Sequence, residues 1–432
     1  ALGVEHGDEL VSIDGTPAEQ AVAAYLDYAG FPRAETRRQF AASMLTYRPS
    51  WSPGSVVASG HSVLRLRKAN GEEQDVELPW LEQATHPLTD TEAPRRDASM
   101  LAESRTAARM LAGEFSGFSN RQPFYLTSQV EQAYEWTEQI APSAAALTAF
   151  NVQASVAAQL DYYARRYRFG GKTFLLLRIH SYHLPDGVRP TDALNYLSAL
   201  LLEQAPRVDG LVLDQTHNGG GDIWLAELVA GLLSAKPVRA LVEAVHADRR
   251  SLDTYLRVAE QLRSAAPFEQ RAAWLEAAMN GARQIDAANS ANQPLTAPIP
   301  LVFPPVTSFE TNPNHWTKPF IVLADELSAS AADFLPLLVE ANELGPVFGQ
   351  RTAGAGADVE RVLTLTNAQL DLYVPRGLIT VYDPSRQYSD EDLVEDEGVT
   401  PTFEYTHDVD DFRAGYVPYV EAFSRQLLAS IR

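Results

Sequence analysis

The 432-residue chain contains no cysteine. That absence removes disulfides, thiolate metal sites and a cysteine nucleophile together, and leaves the compartment open. No apolar run approaches the roughly 20 residues that a membrane-spanning helix needs. Positive charge is scarce, with 35 Lys and Arg against 56 Asp and Glu and a formal net charge of −21. Without a basic run, such a chain is repelled by nucleic-acid phosphates, and it suits a dispersed, soluble protein. The spacing of a dinucleotide fingerprint is missing, and no Gly-Lys-Ser/Thr follows the glycine-rich segment, so nucleotide binding has weak support. The nine histidines show no metal-ligand spacing; His180 and His183 lie three apart near a predicted strand end, with no third ligand in register. Neither a metal nor a cofactor is expected. The opening residues, Ala1-Leu2-Gly3-Val4-Glu5-His6, begin without Met and carry no signal peptide, as in a processed or truncated product.

What is present reads as a globular chain, 45% hydrophobic and 21% charged, and long enough for two or three units. Residues 1–85 begin with Gly7–Gly15, a short alternating strand closed by an Asp-Gly turn. A helical stretch from Pro17 to Tyr28 follows, then a hairpin of Ser62–Arg67 and Asp75–Leu78. This order resembles part of a PDZ-like domain. Residues 86–165 start with a breaker-rich polar stretch, Pro87–Arg96, and continue as Ala-rich helical segments. From residue 166 to 432, apolar runs alternate with helical patterns. Strands are predicted at Thr173–Ile179, Leu211–Leu213 and Phe320–Leu323, with helices at Asp192–Leu201, from Asp222, and after Ser330. Residues 247–295 read as a helical insertion.

Two strand-to-helix junctions carry the chemistry. One is Asp214-Gln215-Thr216-His217-Asn218-Gly219-Gly220-Gly221, the other Ser328-Ala329-Ser330-Ala331-Ala332-Asp333. An acyl-transfer enzyme needs backbone N–H groups for an oxyanion and a nucleophile, and a glycine turn and a serine turn can supply them. Ser330 also reads as a helix N-cap with Asp333 three positions later. Pro336 then leaves two options: a helix beginning at Ala331 places it deep enough to lose a hydrogen bond, whereas a cap at Asp333 places it in the first turn. His217 reads either as a general base or as a structural turn residue.

These segments, with Gly349-Gln350-Arg351-Thr352-Ala353-Gly354-Ala355-Gly356 and Val394-Glu395-Asp396-Glu397-Gly398-Val399-Thr400-Pro401, resemble the chlamydial protease-like activity factor family. That family lies within the tail-specific, C-terminal-processing and tricorn serine peptidases. The resemblance implies a crotonase/ClpP-like α/β catalytic domain with a PDZ-like β-rich accessory domain. Ala355 stands at the position of the lysine in tail-specific members, which excludes a Ser-Lys dyad. The implied alternative is a Ser-His-Glu triad with Ser330 as nucleophile and Glu395 orienting the histidine. Backbone N–H groups at Gly219, Gly220 and Ala331 would hold the oxyanion, Gly219 standing where the family has proline. The family's histidine lies upstream of the PDZ-like segment, and so is expected upstream of this chain. The implied partners are a protein or peptide substrate, an N-terminal fragment carrying that histidine, and a second copy in a homodimer. The resemblance also implies secretion or a periplasmic location, and a regulatory role for residues 86–120. A catalytically inactive peptide-binding protein of the same fold is the competing expectation.

Overall fold

The computed structural model describes residues 4, 7–46, 60–80, 121–265, 270–365, 370–385 and 393–431. The expected regulatory stretch, 86–120, lies outside the described residues.

The N-terminal unit has strand β1 (Glu9–Ile13), helices α1 (Ala18–Ala23) and α2 (Ala34–Ser43), and the hairpin β2 (His61–Arg67) and β3 (Glu73–Pro79). Asp14 and Gly15 both have positive φ, 49° and 76°, the requirement of the two-residue turn that folds Thr16–Pro17 back on β1. β1 pairs antiparallel with β2, and β2 with β3. The alternation in β2 buries Leu64 and Leu66, which join Val76, Val22, Phe40 and Met44 in one core.

The larger unit follows in chain order. Its elements are β4 (Tyr163–Phe169), β5 (Lys172–Arg178), α3 (Pro190–Gln204), β6 (Gly210–Asp214), α4 (Ile223–Leu232), β7 (Leu241–Val245), α5 (Arg249–Ser264) and α6 (Arg271–Ser290). Then come β8 (Phe320–Ala324), α7 (Ala331–Ala341), β9 (Val347–Gly349), β10 (Ala357–Leu365), β11 (Leu370–Val381), β12 (Phe403–Glu404) and α8 (Val417–Ala429).

A six-stranded sheet runs β12-β9-β8-β6-β5-β4, parallel throughout except for the β4–β5 hairpin. The central strands carry unbroken apolar runs, Phe174–Leu177, Leu211–Leu213 and Phe320–Ala324, because both faces are covered. Leu175, Leu177, Leu211, Leu213 and Val322 point to α3, α4 and α7. Phe174, Leu176, Val212, Ile321 and Leu323 point to α8, through Tyr419, Val420 and Phe423. Each such side chain contributes roughly 1.5–3 kcal/mol on burial.

A second sheet is antiparallel, ordered Ile299–Pro300, β7, β11, β10. Helices α5 and α6 pack together beside it through Tyr255, Val258, Ala282 and Ile285. Gly281 makes that contact fit, since a Cβ there would fall 2.3 Å from the Tyr255 ring.

Candidate active site

β6 and β8 are parallel neighbours, so the turns leaving their C-terminal ends lie side by side, where open α/β sheets bind ligands. After β8 the chain turns through Asp325–Ala329 and reaches Ser330 with φ 57° and ψ −120°. A non-glycine residue held there costs roughly 1–3 kcal/mol, a strain found where a sharp turn projects a functional side chain. Ser330 is half-buried, whereas Ser328 is fully buried. The Ser328 hydroxyl is spent inside the turn, 3.1 Å from the Gln215 carbonyl and from the Asp325 carboxylate.

Helix α7 begins at Ala331 with Ser330 as its cap, and the Asp333 carboxylate accepts the Ser330 N–H at 2.7 Å. Of the two options for Pro336, the deep one is realised. Pro336 has no N–H for the Ala332 carbonyl four residues earlier. That carbonyl instead accepts the Gln215 side-chain amide at 2.6 Å, and the Gln215 oxygen accepts the Tyr182 hydroxyl at 2.9 Å. A helix defect on one turn is thus filled by a side chain from the other.

The glycine loop meets the serine turn directly. The Ala329 N–H donates to the Asn218 carbonyl at 2.9 Å. A Cβ on Gly220 would fall 2.6 Å from both the Ala329 oxygen and Ser330 Cβ, and 3.0 Å from the Ala331 nitrogen. Gly220 also has φ 97°, so only glycine allows this approach. One expectation needs correction. The Gly220 N–H is not free for an oxyanion, because it donates to Asn218 Oδ1 at 2.8 Å, a local side-chain turn typical of Asn. Gly220 supplies close approach rather than a donor.

Beneath the loop, Asp214 is structural. Fully buried, it pairs with Arg178 at 3.0 Å and accepts the Tyr125 hydroxyl at 2.9 Å and the Thr216 N–H at 2.9 Å. Such a pair, once one partner is removed, is strongly destabilising. His217 is structural as well: its N–H donates to Asp325 at 2.9 Å, its Nε2 lies 3.3 Å from Asp325 Oδ2, and its ring stacks on Phe124 at 4.6 Å. Burial lowers its pKa from the usual range. Among the described residues, no group of three or more His, Cys, Asp or Glu is placed to hold a metal.

Asp333 joins the serine turn to the segment 352–355. Besides the Ser330 N–H, its buried carboxylate accepts the Thr352 hydroxyl, the Gly354 N–H at 2.9 Å and the Ala355 N–H at 3.1 Å. Burial pushes it up to about 6 despite those donors. The position that a lysine dyad would use is therefore a backbone support for the helix cap. Glu395 lies on a separate segment that pairs with this one: the Asp396 N–H donates to the Gly354 carbonyl at 2.8 Å. Glu395 is half-buried, and its Oε2 is buried with no donor among the described residues. Burial, then the charges of Asp396 and Asp333, push it up to about 7, opposed by the Gly356 and Ala357 N–H groups. The cap role of Asp333 was expected from the sequence, whereas its bonds to the segment 352–355 and the roles of Gln215, Asn218 and Thr352 were not; for Asn218 the Asn-Gly-Gly order was a local signal.

The N-terminal unit reaches this region too. Arg33 donates to the carbonyls of Arg351 at 2.7 Å and Thr352 at 2.6 Å, and the Thr36 hydroxyl to that of Glu326 at 2.8 Å.

Comparison with known proteins agrees with this architecture. The model of peptidase family S41 matches residues 174–405. An uncharacterized protein of Chlamydia muridarum is 26% identical over 471 residues, covering 96% of this chain and 73% of that protein. A protein of Chlamydia pneumoniae is 23% identical, covering 98% of this chain and 73% of its own. Mature CPAF, the chlamydial protease-like activity factor, solved in complex with lactacystin, superposes with a TM-score of 0.68 at 20% identity, over 100% of this chain and 79% of that one. A second structure of mature CPAF gives 0.67 at 21% identity, over 99% and 78%. At these identities the likeness speaks for the fold. The family match spans more than half of the sequence and includes both strand-to-helix turns, and on that ground the chain belongs to peptidase family S41, which supports a serine-type peptidase.

Proposed function

We propose that the protein is a serine endopeptidase working through a Ser-His-Glu triad. Ser330 is its nucleophile, Glu395 orients the imidazole, and the histidine comes from a segment preceding residue 1, as the resemblance to the chlamydial factor implies. The observation that carries this reading is the contact between a strained Ser330 at the start of α7 and the glycine loop packed against it. The imidazole takes the Ser330 proton as the hydroxyl attacks the scissile carbonyl, and later returns it to the departing amine. Negative charge on the carbonyl oxygen is met by the N–H groups of Gly219 and Ala331. Neither has an internal acceptor among the described residues, and Ala331 adds the positive end of an eleven-residue helix. Water then resolves the acyl-enzyme by the same proton route. Glu395 is buried enough to be lifted in pKa, and an imidazolium beside it would bring it down again, the differential interaction a triad carboxylate supplies.

The PDZ-like assignment of the N-terminal unit belongs to this proposal, supported by its strand–helix–hairpin order and its contacts beside the nucleophile turn. Hydrolysis of a fluorescently quenched protein substrate tests the reading. Ser330→Ala is expected to abolish turnover, and Glu395→Gln to lower kcat by about 10³-fold or more. Full activity in Glu395→Gln would remove it from the triad. A protein that binds peptides without cleaving any would support the inactive binding alternative.

A further inference from the structure

Beside the glycine loop lies a cavity of about 510 Å³. The glycine loop forms its first wall. Gly220 rests on Ser330, and the next residue, Gly221, lines the cavity, held so close to the Tyr182–His183 backbone that a Cβ would fall 2.3 Å from it. One residue of chain, about 3.8 Å, separates the contact with the nucleophile from the cavity wall. Three aromatic residues also line it: Trp224 at the start of α4, Trp274 on α6, and Phe303 edge-on to Trp274 at 4.6 Å.

Much of the remaining lining is apolar, including Leu184, Val188, Ile223 and Leu301, with four carboxylates set among it. These are Asp186, Asp222, Glu243 and Asp358, and two arginines, Arg189 and Arg376, line the same cavity; Asp222 caps its own helix by accepting the Leu225 N–H at 3.1 Å. Both arginines are already answered, Arg189 by Asp192 and Arg376 by Asp358. Glu243 is only 2% exposed. Its Oε1 accepts the Tyr255 hydroxyl, while its Oε2 is buried with no donor among the described residues. Burial and the charge of Asp358 push it up to about 7, opposed by the nearby Arg376 guanidinium. Carboxyl groups and indole rings lining one cavity can stabilise a cation twice, by charge and through the ring faces.

We propose that this cavity receives the side chain of the substrate residue adjoining the scissile bond and selects a cationic one, arginine or lysine, with Glu243 and Trp274 setting the preference. The proposal rests on the catalytic reading of Ser330. Its test is equilibrium titration of the whole protein with p-aminobenzamidine, followed by its own fluorescence, with the neutral p-aminobenzamide as comparison. Saturable binding is expected, weakened about tenfold or more by Glu243→Gln. Trp274→Ala should weaken it as well, and answers the case in which Glu243→Gln fails to fold. The bound cation should also slow fluorophosphonate modification of Ser330. Absence of saturable binding, equal binding of the neutral amide, or affinity indifferent to both substitutions would overturn the proposal. A protein that takes the label at Ser330 but binds no cation refutes the pocket alone. One that binds the cation but takes no label refutes the catalytic reading.

Discussion

Replacing Gln215 with Leu keeps the side chain's bulk and deletes both of its hydrogen bonds. The Ala332 carbonyl loses the donor that stands in for the missing Pro336 N–H, and the Tyr182 hydroxyl loses its acceptor. Tyr182, Gln215 and Ala332 are all fully buried, so water does not replace these partners without a structural change. Leaving a buried polar group unsatisfied costs about 1–3 kcal/mol, which puts Gln215→Leu at roughly 2–6 kcal/mol. Pro336→Ala restores an N–H aimed at the same carbonyl. In the wild type that carbonyl is already bonded, so the change in stability should stay within about 1 kcal/mol. In the Gln215→Leu background the restored N–H should recover about 1–2 kcal/mol, the worth of one rescued carbonyl. Urea unfolding of the four proteins, with midpoints and slopes fitted together, measures this coupling. Additivity to within about 0.5 kcal/mol would refute the claim that Gln215 fills the proline defect.

Three further outcomes follow from the site. Ser330→Gly should raise stability by about 1 kcal/mol, because it relieves the positive φ, whereas Ser328→Ala should lower it by about 1–3 kcal/mol and leave hydrolysis intact; the opposite pattern in melting and turnover would mean the wrong serine was chosen. Arg33→Ala removes two bonds from the N-terminal unit to the segment bracing Asp333, and should speed amide exchange at Gly354 and Ala355 and lower kcat more than it changes KM; unchanged exchange would make that contact incidental. Burial raises Glu227 from 4.5 to about 8. A raised carboxyl favours the folded state fully below the unfolded pKa and loses that contribution as pH climbs, so stability should fall between about pH 4.5 and 8. Glu227→Gln should remove up to about 1.4 kcal/mol per pH unit of that slope, and parallel wild-type and variant curves would contradict the assignment.

The sequence made the parallel sheet legible because strands covered on both faces are unbroken apolar runs, as at Leu211–Leu213 and Phe320–Leu323. The serine and glycine turns stood out for a similar local reason, being breaker-rich segments at strand ends. The β10–β11 hairpin did not stand out: β11 carries Pro375, Arg376 and Gly377 within one strand, and its place is set by pairing Gly377–Val381 with Leu241–Val245 across more than a hundred residues. Asp333 was readable as a cap, but its bonds to Thr352, Gly354 and Ala355 depend on a turn about 20 positions away. The same holds for Pro336, whose depth in α7 is offset by Gln215 arriving from the turn after β6. Asn218 was the missed local signal. An Asn two residues before a glycine can take that glycine's N–H by itself, which removes Gly220 from the oxyanion donors.

The central claim is that Ser330 is an activated nucleophile and not simply a helix cap. Mass spectrometry after treatment with a fluorophosphonate measures this directly, using a protein that carries the upstream histidine segment invoked by the proposal. A single adduct mapped to Ser330 is expected, lost in Ser330→Ala, retained in Ser328→Ala and much slower to form in Glu395→Gln. An adduct on another serine, or no adduct on a folded protein that contains the upstream histidine, would contradict it.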